Sequence, residues 1–334
     1  MELLNIKDLN ISFTQYEKGM RQIQLNVIRS LDVTVNSGEM VAVVGASGSG
    51  KSLLAHAILG LLPYNACLKG CMSYRGSELT QERIEKLRGN EIVMVPQSIA
   101  YLDPLMKIGP QIRKGRNDSA TKKKLKDIFS RYELKEEVQN LYPFELSGGM
   151  NRRILISTAL IEEPGLVIAD EPTPGLDLKV AKRAMGHFRE LADMGAGILV
   201  ITHDLELALE VADRIVVFYA GCTVEEANSC DFEREETLRH PYTKALWRAM
   251  PAHGFQAIEG TQPYAKDMHE GCPFSPRCQS CTEACMQEVK LRSLRGGRVR
   301  DRAKRGLRQR KQTRQEKTEN EIRGERGNLP IRKG

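Results

Sequence analysis

A short glycine-rich segment constrains the fold of this chain more than any other feature. Residues 45–52 read Gly-Ala-Ser-Gly-Ser-Gly-Lys-Ser and match the pattern G-x-x-x-x-G-K-[ST]. The five residues ahead of it, MVAVV at 40–44, are wholly apolar, as expected for a buried parallel strand. Residues 52–62 after it have the apolar spacing of a helix. Strand, glycine loop and helix in this order predict the start of a βαβ unit that binds phosphate on the loop.

The loop residues suggest how a nucleotide would be held. Glycines let backbone N–H groups turn toward phosphate oxygens, and the following helix adds the positive end of its dipole. We expect Lys51 to reach the β- and γ-phosphates of ATP and Ser52 to bind Mg²⁺. A chance glycine-rich turn is the alternative, which the apolar strand before it and the helix after it disfavour. The remaining loop residues predicted to contact ATP are Gly45, Ser47, Gly48 and Gly50.

A second apolar strand ends in two acids. Residues 166–171 read Leu-Val-Ile-Ala-Asp-Glu, and carboxylates at the end of a parallel strand lie at the edge of the sheet where ligands bind. We expect Asp170 to complete the Mg²⁺ shell and Glu171 to orient or deprotonate the attacking water. Taken alone, two acids after a strand are more often a solvated turn, so the interpretation depends on the glycine loop upstream.

Strand and helix patterns alternate along most of the chain, which predicts an α/β fold of the P-loop NTPase type with a mainly parallel core sheet. We expect this nucleotide-binding domain over residues 1–238, a Cys-containing extension over 239–288, and a basic, disordered tail over 289–334. The formal charge of +7 is concentrated in that tail. The predicted strands are 3–13, 27–35, 40–44, 91–95, 166–169, 198–202 and 214–219, and the predicted helices are 52–62, 119–140, 151–162, 179–194 and 205–212.

A third motif separates the P-loop classes. Residues 146–150, Leu-Ser-Gly-Gly-Met, precede a predicted helix and lie about twenty residues before Asp170. Together with the glycine loop and the acidic strand end, they resemble the ATP-binding cassette (ABC) family, whose signature is LSGGQ or a close variant. The resemblance implies a helical subdomain that carries this signature.

The resemblance also implies roles for residues that the patterns alone leave unassigned. Gln97 would contact Mg²⁺ and the water and sense a membrane partner, and His203 would contact the γ-phosphate. Phe13 would stack on adenine, with Tyr16 nearby as another aromatic. Two subunits would pack head to tail, with ATP held between the loop of one and the signature of the other. The residues that would contact ATP or complete the site across that interface are Ser147, Gly148, Gly149 and Asp177.

Four longer stretches narrow the family. LYPFELSGGM, ADEPTPGLD, RHPYTKALWRAMP and GCPFSPRC are similar to the ATP-binding subunits of oligopeptide, dipeptide and nickel importers. This implies an ATP-hydrolysing subunit that works with a second ATPase, two transmembrane permease subunits and an extracellular substrate-binding protein. No apolar run approaches the roughly 18–20 residues that span a bilayer, and no signal peptide is evident, so we expect a peripheral protein at the cytoplasmic face of the membrane.

Four cysteines, Cys272, Cys278, Cys281 and Cys285, fall within 14 residues. In a reducing cytosol such clustering favours metal or Fe–S binding over disulfides, with free thiols on a flexible segment as the alternative. Some members of the group hold a [4Fe–4S] cluster in this extension, but their fourth cysteine lies further downstream. Cys281 would replace it here as C-x5-C-x2-C-x3-C, a set that suits a cluster or zinc.

Two other functions remain as alternatives. The basic tail is compatible with a non-transport cassette ATPase that acts on nucleic acid or ribosomes. We consider nucleic acid the less favoured partner, because such proteins usually carry two cassettes or a long coiled coil, and this chain has one cassette and no sustained heptads. The second alternative is an ATPase gated by metal or redox state at the cysteine cluster.

Overall fold

The computed structural model describes residues 1–17 and 20–300. Its twelve strands form one sheet. The predicted α/β class with a mainly parallel core is confirmed. The strands are β1 (Glu2–Tyr16), β2 (Gln22–Asn36), β3 (Met40–Val44), β4 (Ala66–Tyr74), β5 (Ser77–Glu78), β6 (Ile92–Val95), β7 (Leu166–Asp170), β8 (Gly197–Thr202), β9 (Arg214–Tyr219), β10 (Cys222–Asn228), β11 (Leu291–Leu294) and β12 (Gly297–Arg300).

The parallel core runs in the order β9-β3-β8-β7-β6. All five residues of β3 are buried, because the sheet is covered on both faces. Val41 and Val43 face one apolar core, and Met40, Ala42 and Val44 face the other. Because all five strands point the same way, their carboxyl ends meet at one edge.

An antiparallel part extends the sheet beyond β9. Strand β10 pairs antiparallel with β9, and β1 pairs antiparallel with both β2 and β4. Most of β4 is exposed, so its residues, ACLKGCMSY, give no continuous apolar signal in the sequence. This is why sequence patterns did not predict β4 and β5. Strand β10 is buried, but the charged residues Glu225 and Glu226 interrupt its apolar pattern.

The helices lie between the strands and cover the sheet. They are α1 (Lys51–Ile58), α2 (Gln81–Leu87), α3 (Ile108–Ile112), α4 (Ser119–Arg131), α5 (Gly148–Leu160), α6 (Leu178–Asp193), α7 (Leu205–Val211) and α8 (Pro241–Arg248). Helix α4 is shorter than predicted, since Glu133 takes a left-handed φ of 51° that ends the helix. Within the described residues, no helix is long and apolar enough to cross a membrane.

The extension after residue 238 shares the core of the cassette. Tyr242, Cys272, Phe274 and Val289 are buried in the same apolar cluster as one face of β3. Arg239 pairs with the buried carboxylate of Glu225 on β10 at 3.2 Å. The extension therefore packs onto the sheet as part of one core, although its sequence sets it apart. The residue limits of the three predicted domains stay a prediction.

The first residues of the predicted tail are folded, which corrects that part of the prediction. Strands β11 and β12 form an antiparallel hairpin, and β12 pairs with β10. Arg300, which the sequence suggests is a solvated charge, is buried and donates to the carbonyl oxygens of Thr223, Val289 and Ser30. Residues 301–334, where the rest of the predicted tail falls, lie outside the described residues.

Candidate active site

The carboxyl edge of the parallel sheet brings the predicted catalytic segments together. Val44 pairs with Thr202, and Asp170 pairs with Ile201, so β3, β7 and β8 end at the same level. The glycine loop, Glu171 and His203 follow these strands directly. Segments separated by up to 158 positions therefore meet at one edge, as the sequence predicted.

The loop needs glycine for two physical reasons. A Cβ at Gly45 would lie 2.1 Å from the carbonyl oxygen of Phe218, so a side chain there would displace the backbone. Gly48 and Gly50 have φ values of 75° and 99°, which other residues rarely adopt. Ser49 is 2% exposed, and its hydroxyl has no hydrogen-bond partner among the described residues. A buried orphan hydroxyl in a glycine cradle fits a phosphate ligand.

Lys51 lies inside the loop as the first residue of α1. Its Nζ donates to the carbonyl oxygens of Gly45 at 2.8 Å and Ala46 at 2.9 Å. Burial lowers the pKa of this ammonium, and the charges of Glu171 and Asp170 act against that shift. The ammonium is held where phosphate oxygens would compete with those two carbonyls.

Ser52 and Asp170 lie side by side, as a Mg²⁺ site requires. The Ser52 hydroxyl donates to Oδ1 of Asp170 at 3.1 Å. Burial raises the pKa of the Asp170 carboxyl, whereas the Ser52 hydrogen bond and the Lys51 charge lower it. Because oxygen ligands suit Mg²⁺ and a cation would stabilise this buried carboxylate, the two side chains fit the ion.

Glu171 and His203 form a pair beside this site. Nδ1 of His203 lies 2.8 Å from Oε2 of Glu171. Glu171 has a φ of 45°, and its backbone N–H donates to Ile201 at 2.8 Å. Left-handed backbone at a glutamate costs energy and clusters at functional sites, so this conformation supports the catalytic assignment.

Gln97 lies two residues beyond the end of β6 and is exposed. Val95 pairs with Ala169, which sets Gln97 close to the level of Glu171 at the sheet edge. Arg152, which the sequence analysis did not single out, donates to the carbonyl oxygen of Pro96 at 3.3 Å. Burial lowers the pKa of Arg152, and the nearby charges of Glu171 and Asp170 raise it. A charged residue at an apolar position of the predicted helix 151–162 is the sequence signal that could have identified Arg152.

The signature motif begins helix α5 and is open to solvent. The Ser147 hydroxyl accepts from the N–H of Met150 at 3.4 Å, and a Cβ at Gly148 or Gly149 would meet nothing within 4 Å. Asp177 caps α6 in the same way, accepting from Val180 at 3.1 Å. Ser147 and Asp177 therefore each cap their own helix, and within the described residues neither side chain is hydrogen-bonded to the glycine loop.

Phe13 lies on β1 opposite Leu25 and Ala66, half-buried against the apolar cluster. Tyr16, three residues later, is exposed. The buried side of Phe13 packs against the core. The predicted stacking of Phe13 on adenine stays a prediction.

The metal or Fe–S site predicted at the four clustered cysteines stays a prediction. No group of three or more His, Cys, Asp or Glu in residues 1–17 and 20–300 is placed to hold a metal ion. Burial raises the pKa of Cys272 to about 11, which favours the thiol over the thiolate that a metal binds. Its Sγ lies 3.6 Å from Nε2 of His240, and the sulfurs of Cys281 and Cys285 lie near Thr282. Cys278 is half-buried.

Comparison with known families agrees with the geometry. Residues 28–174 match the ABC transporter family, and residues 224–285 match the oligopeptide/dipeptide transporter C-terminal region. The first match covers the glycine loop, the signature and the acidic strand end, and the second covers the extension.

Curated relatives extend the similarity over most of the chain. The chain is 35% identical over 318 residues to the oligopeptide transport ATP-binding protein OppD of Haemophilus influenzae, covering 90% of this chain and 96% of that protein. It is also 35% identical over 307 residues to the dipeptide transport ATP-binding protein DppD of the same organism, covering 86% and 91%.

Solved structures show the same fold. The dimeric structure of MJ0796, a bacterial ABC transporter cassette, matches with a TM-score of 0.59 and 25% identity, over 68% of this chain and 99% of that chain. An ATP-binding subunit of an ABC transporter matches with a TM-score of 0.59 and 27% identity, over 73% and 98%. The glycine loop, the open signature and the shared extension thus have one common explanation: the chain belongs to the ABC transporter ATP-binding subunits that carry the oligopeptide/dipeptide C-terminal region.

Proposed function

We propose that this chain hydrolyses MgATP to energise the import of di- or oligopeptides through a membrane permease. The observation that carries the proposal is the Glu171–His203 pair at 2.8 Å beside the Ser52–Asp170 pair at 3.1 Å. These two pairs put a water-orienting carboxylate next to ligands for the ion that accompanies ATP. The names of the relatives, oligopeptide and dipeptide transport ATP-binding proteins, support the cargo class.

Nucleotide binding would use the loop first. Backbone N–H groups of residues 45–52 and the Lys51 ammonium would bind the β- and γ-phosphate oxygens. Ser52 and Asp170 would hold Mg²⁺, which supplies neutralisation of the phosphate charge. Phe13 would stack against the adenine ring.

Hydrolysis would depend on Glu171 and His203. Glu171 would orient the attacking water and accept its proton, while the bond from His203 holds the carboxylate in place. His203 is exposed on its other side, where it can reach the γ-phosphate. Gln97, at the end of β6, would contact the ion and the water and would change position when they leave.

A second ATPase subunit would complete the site. The open surface at Ser147, Gly148 and Gly149, together with the N-terminus of the 13-residue helix α5, offers N–H groups to an anion. The signature and the Gly45–Ser52 loop of one chain make no recorded contact in the described residues, so each would face the partner's complementary half. Asp177 would border the same interface.

An exposed apolar patch supports docking of a permease. Tyr101, Leu105, Met106 and Phe144 are all exposed, with Leu105 at 86%. Soluble surfaces rarely gather such residues without an interaction partner. Three of them lie within nine residues of Gln97 in sequence, so a permease that binds there would lie beside the segment that carries Gln97. Binding of a permease there would hold the chain at the cytoplasmic face of the membrane.

The test is co-expression with the permease subunits and the extracellular substrate-binding protein of a peptide importer from the same organism. We expect co-purification from detergent-solubilised membranes and, in proteoliposomes, ATP hydrolysis stimulated by the peptide-loaded binding protein. Lys51→Ala should abolish that hydrolysis and leave assembly intact. Stimulation by nickel in place of peptides would change the cargo class, and an active ATPase that never associates with a permease would overturn the proposal.

A further inference from the structure

A buried arginine joins the signature helix α5 to the segment that carries Gln97. Helix α5 packs against β6 and against a short 3-10 helix, Ile99–Tyr101. These two elements lie on either side of Gln97 in the chain. Arg152 belongs to the buried face of α5 and is 9% exposed. The arginine therefore lies where α5 meets the bend at Gln97.

The guanidinium of Arg152 binds the peptide group that directly precedes Gln97. Its Nη1 donates to the carbonyl oxygen of Pro96 at 3.3 Å, and Pro96 is buried. That carbonyl shares one planar peptide group with the N–H of Gln97. Strand β6 pairs with β7 only as far as Val95, so the sheet does not hold this peptide group. A buried carbonyl without a partner costs free energy, and Arg152 supplies the partner.

Arg152 makes this hydrogen bond without an ion pair. Among residues 1–17 and 20–300, no carboxylate pairs with its guanidinium at salt-bridge distance. Burial lowers the pKa of Arg152, because the desolvated guanidinium is less stable when charged, and the charges of Glu171 and Asp170 act against that shift. An apolar side chain of similar length would fill the position without this cost, so packing alone does not account for an arginine here.

We propose that Arg152 is a positioning residue for ATP hydrolysis, which fixes the peptide group before Gln97 and ties its orientation to helix α5. The inference rests on the proposed ATPase function and deepens it. The N-terminus of α5 carries Ser147–Gly149, which would face the nucleotide of the partner ATPase. A shift of α5 when that nucleotide binds or leaves would therefore move Gln97 in this chain's own site.

Arg152→Met in the full chain, assembled with the other importer subunits, is the test. The change keeps the length of the side chain and removes its charge and donors. We expect kcat for ATP hydrolysis to fall by about tenfold, the effect of one hydrogen bond from a charged donor. The KM for ATP should stay within about twofold, because the loop at Gly45–Ser52 is unaltered. Hydrogen–deuterium exchange of a peptide covering residues 95–99 should become faster.

Arg152→Lys and Arg88→Met are the matched variants. Arg152→Lys keeps the charge and a donor, so it should restore kcat to within about threefold of the original. Arg88 lies just before β6, at the opposite end of the strand from Pro96, and donates to the carbonyl oxygen of Leu59 at 2.9 Å. Arg88→Met therefore removes the same kind of bond away from Gln97, and it should leave kcat and the exchange at residues 95–99 near their original values.

The outcomes separate positioning from a general loss of stability. An unchanged kcat in Arg152→Met, or a fall that Arg88→Met reproduces, would overturn the proposal. If Arg152→Met does not fold, Arg152→Gln takes its place with the same expected fall in kcat and the same overturning result. Lys51→Ala is the reference: if it leaves hydrolysis intact, the nucleotide site itself is misassigned. If Lys51→Ala abolishes hydrolysis and the Arg152 variants do not change kcat, only the role of Arg152 fails.

Discussion

Glu171 is held in a conformation that few glutamates adopt. Its φ of 45° directs the side chain away from the line of β7, and its N–H is anchored to Ile201 on β8. Such a conformation costs on the order of 1 kcal/mol or more, and the packed strands β7 and β8 must supply that energy. The carboxylate lies 2.8 Å from Nδ1 of His203.

Replacing this carboxylate by an amide tests the assignment. Glu171→Gln keeps the size and the backbone but cannot accept a proton, so we expect hydrolysis to fall by about 10²–10⁴-fold. ATP affinity should remain near that of the original chain, as measured by equilibrium binding beside single-turnover hydrolysis. Turnover within a fewfold of the original would exclude Glu171 as the base.

The burial of His187 on α6 makes the stability of the fold depend on pH. Neither ring nitrogen makes a hydrogen bond to a described residue, and Nδ1 lies 3.5 Å from the Glu190 carboxylate, which Arg131 also contacts. The imidazole packs against the ring of Tyr132 at 4.2 Å. Burial lowers its pKa to about 4, helped by the charges of Arg131 and Arg183.

This pKa predicts acid sensitivity. Between pH 6.5 and about 4 the unfolded chain binds a proton at His187 and the folded chain does not, so stability falls as pH falls through this window. The effect is at most about 3 kcal/mol. His187→Phe keeps the ring on Tyr132 and should remove that part of the slope, measured by urea unfolding at several pH values. Identical slopes in both proteins would refute the assignment.

At the scale of elements, regular apolar patterns predicted the parallel strands together with β1 and β2, and they missed β4, β5, β10 and the β11–β12 hairpin. Strand β3 and the acidic end of β7 were evident because buried parallel strands are apolar throughout. Helix α1 ended earlier than predicted, since Gly60 takes a φ of 62° and the chain turns there. The β11–β12 hairpin was assigned to a disordered tail because its arginines look solvated in sequence.

The hairpin depends on those arginines and on the extension. Arg239, buried beside Glu225, donates to the Leu294 carbonyl at 2.6 Å, and Arg300 binds three carbonyl oxygens. Val299 is buried against the sheet. Removing the hairpin would expose the residues that pack against Val299. It would also leave the Asp32 carboxylate without its ion-pair partners Arg298 and Arg300.

Shortening the chain tests this element. A chain that ends after Lys290 should lose at least about 2 kcal/mol of stability relative to one that ends after Arg300, from the burial of the Val299 side chain alone. Both lack residues 301–334, so the comparison isolates the hairpin. Thermal or urea unfolding measures the difference. Equal stabilities would show that the hairpin contributes nothing to the fold.

At the scale of the whole molecule, the active site is divided between two surfaces. The glycine loop is built into the sheet edge, whereas the signature is exposed at the start of α5. Gly148 and Gly149 have open space where a Cβ would lie, so their glycines are not required by this chain's own packing. A partner surface that approaches closely explains them better.

Gly148→Asp separates folding from assembly. We expect the melting temperature without nucleotide to stay within about 1 °C of the original, because surface changes in open space have small effects. ATP-induced dimerisation with the partner ATPase, or with a second copy in the Glu171→Gln background, should be lost because the carboxylate repels phosphate. Size-exclusion chromatography with ATP measures it. Gly186→Asp, in open space midway along α6, is the control; dimers of the Gly148 variant equal to the control would contradict a composite site.

The sequence by itself determined the chemistry, because a glycine loop, a strand ending in Asp170 and Glu171, and the signature at 146–150 are local patterns. It could not determine how the extension attaches, because Tyr242, Arg239 and Arg300 act on partners far away in sequence. Their contacts with Tyr219, Leu294 and Thr223 exist only after the sheet has formed. Only the tertiary structure, by burying these groups together, decided that the extension belongs to the core of the cassette.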